Sequence, residues 1–498
     1  MAPLYVDSIG LANWAILASI SLTGYFVCLA IYRVLLHPLR AFPGPISHRV
    51  SNFPRAFQST RGELGFHVAD LHRKYGPVVR LGPNELAFSD PQAWKDIYGH
   101  RTPGQEEFPK YLKFYKPFDD MPSSVISADR NEHSALRRQL AHGFSERSMR
   151  GQEPIIGEYV DLLIQKLRAN CEGGTKPLNM RNWLNWATFD IVGDLGFGSP
   201  FGCLDSSDYH PWVRLITDNI KQGALLNALQ SVGGRPIVQF LKNQGLLKRR
   251  DQHQALVKEK LAQRMELGVE RPDLIEGLIH KKEELGLDLG QLQMNASLLI
   301  IAGSETTATL LSGAVFLLTT NPSVLKTLTE EVRSAFSNDE EITLLSVGKL
   351  QYMLACLNET LRHYPPVGIG LPRQSPKGGA MVAGHFIPEG TVTAVWQWAI
   401  NHDPNHWTKP MEFHPERFLN DPIFKGDKLD AMQPFSMGPR NCIGRNLAYA
   451  EMRLILAKII YNFDMRIADE SRGWLETQKM YGLWDKPPLE IFLSPIAH

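Results

Sequence analysis

The chain has 498 residues, 43% of them hydrophobic and 21% charged, and its 53 Lys and Arg residues nearly balance its 52 Asp and Glu residues. This composition excludes a disordered chain, a collagen-like fibre and a disulfide-stapled miniprotein. A formal net charge of +1 argues against nucleic-acid binding as the main role. Five scattered cysteines without a CxxC pair support neither a disulfide framework nor a cysteine-paired zinc site.

The N-terminal segment is predicted to anchor the chain in a membrane. Residues 11–32 carry no charge, and as a helix they would extend about 33 Å, enough to cross a ~30 Å hydrocarbon layer. A cleaved signal peptide is the alternative, but its shorter apolar region follows a basic stretch, whereas only Asp7 is charged before this span. Arginines follow at positions 33, 40, 49 and 55, so the positive-inside rule places the remaining chain in the cytosol.

We therefore divide the chain into an anchor (1–36), a connector (37–46) and a large folded domain (47–498). The connector contains three prolines, which fix φ and restrict the preceding residues, so it is stiff and non-helical. The domain is predicted to be mainly α with a small β-rich region. Hydrophobic spacing predicts helices over 66–75, 131–143, 155–169, 251–267, 323–336 and 349–364, and strands over 78–82, 85–89 and 391–400.

Residues 292–320 form an apolar segment that is long enough to be a second membrane span. Glu305 lies near its centre, however, and an ionisable group at mid-bilayer is costly. The flanking segments have the spacing of ordinary amphipathic helices. We therefore predict that this segment is the central core helix of the folded domain rather than a second span.

The sequence FSMGPRNCIGR, residues 435–445, contains the strongest chemical signal. Cys442 follows a Gly-Pro turn and precedes a helix-forming run, and the free N–H groups of a helix start favour a thiolate, the form that binds a soft metal. Gly438 and Gly444 have no side chain, so a flat, bulky group could lie close to the backbone. Arg440 offers a bidentate fork to a carboxylate.

Most free cysteines are small buried hydrophobes, and this is the simpler interpretation of Cys442. Against it, the pattern F-x-x-G-x-R-x-C-x-G that begins at Phe435 has a chance occurrence of roughly one in ten thousand. These residues resemble the haem-thiolate signature of the cytochrome P450 monooxygenases, and the resemblance covers nearly the whole chain. It implies the cytochrome P450 fold, with the catalytic domain over 47–498, and haem b (iron protoporphyrin) with the Cys442 thiolate as axial ligand.

A second motif, AGSETT at residues 302–307, resembles the oxygen-binding helix of this family. The resemblance implies that Glu305 and Thr306 are an acid–alcohol pair that delivers protons. A notch of small residues at Ala302 and Gly303 is expected to make room for dioxygen beside the iron. On the residues alone, small side chains in a buried helix equally permit close helix packing.

A structural charge network is also implied. Glu359 and Arg362 lie three residues apart in ETLR, and Arg417 in FHPERF resembles the third member of the Glu–Arg–Arg network of the family. A connected trio is physically sensible because buried charges persist only when they are paired and hydrogen-bonded.

Four cationic or polar side chains are implied to bind the haem propionates. His133 and Arg137 lie four residues apart on one helical face, where the family usually has Trp and Arg. His133 replaces that Trp, so its contribution is expected to depend on pH. Arg373 in GLPRQS and Arg440 complete the set.

The resemblance implies a monooxygenase that oxidises a lipophilic small molecule with O2. Because the chain has no recognisable flavin or nicotinamide motif, a separate NADPH-dependent reductase on the same membrane is expected to supply the electrons. Apolar side chains are expected to line the substrate pocket, and residues 106–116 are expected to belong to the loop that covers it. The implied pocket residues are Ile301 and Ala302 on the core helix and Val367, Ile369 and Leu371 in the loop after the Glu–Arg helix.

The overall pattern resembles fungal cytochromes of secondary metabolism, which oxidise terpenoid, polyketide or alkaloid scaffolds. The implied location is the endoplasmic reticulum membrane, crossed once, with the catalytic domain in the cytosol. Two alternatives stay open: a haem-thiolate enzyme that rearranges peroxides without a reductase, and a non-catalytic haem-binding or polytopic membrane protein. The pair Glu305-Thr306 argues against the first, since that chemistry does not need protons linked to dioxygen.

Overall fold

A computed structural model describes residues 3–102, 104–118, 120–246, 248–267 and 273–497. The helices are α1 Pro3–Ile31, α2 Ile46–Val50, α3 Phe53–Thr60, α4 Leu64–Tyr75, α5 Pro91–Tyr98, α6 Leu112–Tyr115, α7 Arg130–Gly143, α8 Glu146–Asn170, α9 Met180–Phe197, α10 Cys203–Ser206, α11 Pro211–Ser231, α12 Arg235–Asn243, α13 Lys248–Glu266, α14 Glu276–His280, α15 Leu289–Thr320, α16 Pro322–Ala335, α17 Gln351–His363, α18 Gln397–Asn401 and α19 Arg445–Asn462. The strands are β1 Val78–Gly82, β2 Glu85–Phe88, β3 Pro177–Asn179, β4 Arg373–Gln374, β5 Ala380–Val382, β6 His385–Ile387, β7 Val392–Val395, β8 Phe463–Ile467, β9 Lys479–Met480, β10 Trp484–Asp485 and β11 Glu490–Pro495. The prediction of a mainly helical fold with a small β-rich region is confirmed.

Each helix predicted from hydrophobic spacing is present, with its ends displaced by a few residues in most cases. The largest displacement is at α8, which begins at Glu146 although Pro154 lies inside it, because the Ser145 hydroxyl caps the first turn by accepting from the Ser148 N–H. Helix α9 was not predicted from hydrophobic spacing. Nearly every residue of α9 is buried, so the helix has no polar face and no amphipathic period to recognise.

The N-terminal helix is long, apolar and exposed. Residues 12–36 have a mean hydropathy of 1.9, and none of them is buried. After Ile31 the helix continues as a π-helical turn, Tyr32–Leu36, which is bonded to the folded domain. The Arg33 guanidinium donates to the Val50 carbonyl at 2.6 Å, and Arg80 donates to the Arg33 carbonyl at 2.8 Å. By length and composition the segment is able to cross a membrane.

The second apolar helix, α15, lies in the core. Its N-terminus is closed by a capping box, in which Asp288 and Gln291 each accept from the backbone N–H of the other. About 72% of its apolar window is buried, mostly against α9. The prediction of a core helix rather than a second membrane span is therefore confirmed.

The largest sheet has the strand order β1-β2-β7-β4, with β2 and β7 parallel. The predicted strand over 391–400 is only partly correct, because β7 ends at Val395 and α18 follows. Val395 pairs with Phe88, the last residue of β2, and Trp396 still donates to the Phe88 carbonyl and bridges Gly370, but the residues immediately after Trp396 join no strand. A helical turn satisfies their backbone groups instead, and the Ile400 N–H donates to the Trp396 carbonyl.

Candidate active site

The loop before α19 is held in a fixed shape. The Cys442 N–H donates to the Phe435 carbonyl at 2.8 Å, and the Phe435 ring packs on Tyr449 with 5.2 Å between centroids. Gly438 has a φ of +71°, and a Cβ added there would lie 2.0 Å from the Tyr98 carbonyl oxygen. Gly438 therefore allows the loop to approach α5, which differs from the expected role of making room for a flat group. Gly444 faces Phe144 at an ordinary contact distance.

Cys442 has an accessible side chain and precedes Gly444, the N-cap of α19, by two residues. Surrounding protein atoms nevertheless desolvate its thiol and raise its pKa, and this effect exceeds the opposing effects of the Gly444 N–H and of the Arg137 and Arg445 guanidinium groups. The Gly444 N–H at the helix start does lower the pKa, as expected, but desolvation outweighs it, so the thiolate stays a prediction. Coordination to a metal cation would deprotonate the thiol.

The AGSETT motif presents different residues on different sides of α15. Ala302 is exposed and Thr306 is half-buried, one turn apart on the same face, and the Thr306 hydroxyl donates to the Ala302 carbonyl at 2.6 Å. A Cβ added at Gly303 would lie 3.2 Å from Val192 of α9, so this glycine serves helix packing. The expected two-residue notch is thus reduced to Ala302, because successive helix residues point about 100° apart.

Glu305 is buried on another side of the same helix. Its Oε1 accepts from the Lys486 ammonium at 2.5 Å, and Lys486 also donates to the Thr309 hydroxyl at 2.6 Å. Lys486 was not recognised from the sequence, because it lies 181 residues away in an extended segment without a motif.

Arg373 and Arg440 lie together with a lysine that the sequence analysis did not assign. The backbone of residues 109–111 pairs with that of residues 372–374, and this pairing places Lys110 opposite Arg373. The Lys110 ammonium lies 4.2 Å from the centre of the Tyr115 ring. The signal that could have identified Lys110 and Tyr115 was the mixture of lysines and aromatics in residues 106–116.

Among the described residues, Lys110, Arg373 and Arg440 have fewer anionic and hydrogen-bonding partners than they can bind. Burial and mutual repulsion with Arg440 lower the pKa values of Lys110 and Arg373, and Glu107 is the carboxylate that faces them. Glu107 accepts from Arg440 at 2.8 Å. Among the described residues, the buried Nε atoms of Arg373 and Arg440 and the buried Tyr115 hydroxyl have no hydrogen-bond partner. Surplus positive charge with unsatisfied donors fits an anionic group such as the propionates of haem.

The other two predicted propionate ligands are placed differently. Both terminal nitrogens of Arg137 donate to Asn441, at 2.6 Å to its carbonyl and 2.5 Å to its side-chain oxygen, so Arg137 braces the loop beside Cys442. His133 is buried, and desolvation together with Arg440 and Arg137 lowers its pKa to about 4. A pKa of about 4 places the change of charge on the ring in the acidic range, and the predicted pH dependence of its contribution stays a prediction. An open cavity of about 400 Å³ is lined by Glu107, His133, Arg137 and Pro439, among others.

The structure brings Glu359, Arg362 and Arg417 together in the core. Arg362 donates to both carboxylate oxygens of Glu359, at 2.7 and 2.8 Å, and the Arg417 Nε lies 3.0 Å from Glu359 Oε2. Arg417 also pairs with Asp427, a fourth member that was not predicted because it lies ten positions farther along the chain, outside any motif. All four side chains are at most 1% exposed.

The predicted pocket residues divide between two parts of the core. Ile301 and Ile369 are half-buried against the main core, and Val367 is half-buried. Leu371 packs on the smaller core beside the largest sheet, and its carbonyl accepts from the Tyr98 hydroxyl at 2.8 Å.

Comparisons with known proteins agree with this arrangement. Residues 43–493 match the cytochrome P450 family. The cytochrome P450 monooxygenase tpeC of Talaromyces stipitatus is 49% identical, with 99% of this chain and 97% of that protein covered. The trichothecene C-15 hydroxylase of Fusarium sporotrichioides is 44% identical, covering 97% and 99%, and the averantin hydroxylase of Dothistroma septosporum is 42% identical, covering 93% and 88%. The chain therefore belongs to the cytochrome P450 family and is a cytochrome P450 monooxygenase.

Proposed function

We propose that this monooxygenase oxidises a lipophilic secondary metabolite, using O2 and electrons that an NADPH-dependent reductase supplies. The observation that carries the proposal is the accessible thiol of Cys442 on a braced loop, together with buried cations that lack partners. Family membership implies a haem held by a cysteine thiolate. Among the described residues, no group of three or more His, Cys, Asp or Glu side chains is placed to hold a metal, so a metal at Cys442 would take its other ligands from a bound group such as a porphyrin.

Each residue has a defined task in this proposal. Cys442 would bind the iron, and Lys110, Arg373, Arg440 and Tyr115 would hold the propionates. The haem supplies oxygen activation, to which a thiolate ligand contributes by pushing electron density toward the O–O bond. The Thr306 hydroxyl is on the exposed face of α15 and would pass a proton there, with Glu305 as the acid of the pair.

The substrate class is supported by the relatives and by the lining of the site. Two relatives are named for hydroxylating a trichothecene and averantin. The half-buried side chains of Ile301, Val367 and Ile369 would offer such a molecule apolar contact.

We place the enzyme in the endoplasmic reticulum membrane. Residues 1–36 would form the anchor and 37–46 the connector, with the catalytic domain (47–498) in the cytosol. The exposed apolar helix over residues 12–36 supports the anchor, and the arginines after it support the orientation.

Co-expression with a cytochrome P450 reductase tests the proposal. We expect products heavier by one oxygen atom in mass spectra of lipophilic extracts, and a carbon-monoxide-bound ferrous form with the shifted Soret band of thiolate ligation. Cys442→Ser should abolish that band, whereas Cys356→Ser, at a buried cysteine on α17, should retain it. A band that persists in Cys442→Ser, or turnover of lipid peroxides without reductase, would contradict the proposal.

A further inference from the structure

We propose that Lys486 is a positioning residue for proton supply, which holds one oxygen of Glu305 and leaves the other free to accept a proton. This inference rests on the proposed function of Glu305 and Thr306. It adds a residue from the C-terminal segment, bound to Glu305 on the buried side of α15.

The contact between the two residues is close and fully buried. The Lys486 Nζ lies 2.5 Å from Glu305 Oε1 and 2.6 Å from Thr309 Oγ1, and the two charged side chains are 1% and 3% exposed. Thr309 is one turn beyond Glu305 on α15, so the ammonium binds two positions on the same side of the helix. The bond to Thr309 fixes the ammonium on this side of the helix, and the charge-assisted bond to Oε1 then orients the carboxylate.

The second carboxylate oxygen is what distinguishes this pair from a structural ion pair. Glu305 Oε2 is buried and has no hydrogen-bond partner among the described residues. In contrast, both oxygens of Glu359 are occupied, since Arg362 donates to each and the His414 N–H donates to Oε1. A buried carboxylate oxygen without a donor costs free energy, and a purely structural pair gains nothing by leaving one empty.

Other polar groups surround the pair without occupying that oxygen. Burial is the largest effect on both neighbouring groups: it lowers the pKa of Lys486 and raises the pKa of Tyr364, and Glu305 raises the pKa of Tyr364 further. Arg181 lowers the pKa values of both groups. The Tyr364 hydroxyl donates to Gln478 at 2.6 Å, so it is engaged elsewhere. The Arg181 Nε is buried without a partner in the described part of the chain. Glu305 Oε2 therefore remains the open acceptor of the group.

The segment that carries Lys486 also contacts the predicted substrate pocket. Strands β9 and β10 form a hairpin, and a Cβ added at Gly482 in its turn would lie 3.8 Å from Ile369 Cδ1. The Trp484 indole donates to the Pro365 carbonyl at 2.8 Å, which ties β10 to the start of the pocket loop. Two prolines follow Lys486 and stiffen the backbone there. One hairpin thus connects the pocket loop to the acid.

The experiment uses the full chain with a reductase in phospholipid vesicles, without added substrate. Under these conditions NADPH reduces O2 either to hydrogen peroxide, with two electrons and two protons, or to water, with four electrons and four protons. The fraction of NADPH electrons recovered as peroxide reports how well protons reach the site. The variants are Lys486→Met, Lys486→Arg and Glu305→Gln, with Lys479→Met on the same hairpin as the exposed control.

We expect Lys486→Met to raise the peroxide fraction about threefold or more, with the carbon monoxide spectrum intact, and Lys486→Arg to restore it. Lys479→Met should match the wild type. The double variant Lys486→Met with Glu305→Gln removes both buried charges, so it should fold even if the single variant does not, and its peroxide fraction should equal that of Glu305→Gln alone.

An unchanged peroxide fraction in Lys486→Met would overturn the inference, and so would a double variant whose effects add. A wild-type protein without the shifted Soret band would overturn the proposed function itself, and this inference with it.

Discussion

Two clusters of buried charged side chains in this protein differ in net charge: one has as many acidic as basic groups, and the other has a surplus of basic groups. In the structural network, Glu359 and Asp427 occupy the guanidinium groups of Arg362 and Arg417, and backbone carbonyls bind the remaining Arg362 donors. In the cationic cluster, Glu107 is the carboxylate among the described residues that faces Lys110, Arg373 and Arg440, and the buried Nε atoms of the two arginines have no hydrogen-bond partner there.

The difference separates a structural role from a binding role without reference to any motif. A balanced network carries no surplus charge to attract an ionic ligand, and removing one member leaves an uncompensated charge in the core. An unbalanced cluster is tolerated only where a ligand of opposite charge completes it, which is typical of functional sites. The comparison predicts that substitutions in the two groups change stability in opposite directions.

The largest effect is expected in the balanced network. Glu359→Ala should destabilise the protein by about 4 kcal/mol or more, because it leaves Arg362 and Arg417 buried without their shared carboxylate. Urea unfolding and the haem content of the purified protein measure this. Glu330→Ala, at an exposed surface pair, should leave both unchanged. Normal haem content in Glu359→Ala would contradict the structural role.

Glu451 differs from both clusters because no charged neighbour among the described residues compensates its burial. It lies buried on α19, and burial alone raises its pKa to about 8. The folded state holds this proton to higher pH than the unfolded chain, so stability is fully present below about pH 4.5 and is lost as the pH rises toward 8. Between pH 5 and 7.5 the loss should be about 3 kcal/mol. Glu451→Gln should remove this part of the pH dependence of urea unfolding, and an unchanged slope would show that the carboxyl finds a partner.

Removing a charge from the cationic cluster should stabilise the haem-free chain, whereas removing one from the balanced network should destabilise it. Lys110→Met should weaken haem binding by about 1.5–3 kcal/mol, equivalent to roughly 10–100-fold. The same change should stabilise the haem-free chain, because it removes repulsion with Arg373 and Arg440. Haem transfer to apomyoglobin measures the first effect and urea unfolding of the haem-free protein the second. Arg150→Met, at an exposed pair on α8, is the control. A loss of stability in the haem-free Lys110→Met protein would contradict the conclusion that the cationic cluster is destabilising without a bound anion.

The smallest effect is expected at His133. Since its pKa is about 4, the ring is neutral at both pH 6 and pH 8 and contributes no charge to the cluster at either. His133→Asn should therefore change haem retention by the same factor at the two pH values, and by less than about 1 kcal/mol. A loss confined to pH 6 would show that the bound group raises the pKa of His133 far above this value.

The sequence by itself determined the features that depend on local spacing. The uncharged run over residues 11–32, the cysteine pattern from Phe435 and the AGSETT motif are each read within a few residues, because helix period, capping and turn chemistry act over that distance. The apolar segment around Glu305 was also correctly assigned to the core, since one ionisable group made a second span costly.

Only the tertiary structure decided which distant groups meet. Lys486 reaches Glu305 across 181 residues, and Lys110 reaches Arg373 through backbone pairing. Neither contact has a sequence period, because the path of the chain sets both. The structure likewise turned Gly303 toward α9 and used Gly438 for loop packing, since the direction of each residue depends on what its neighbours pack against.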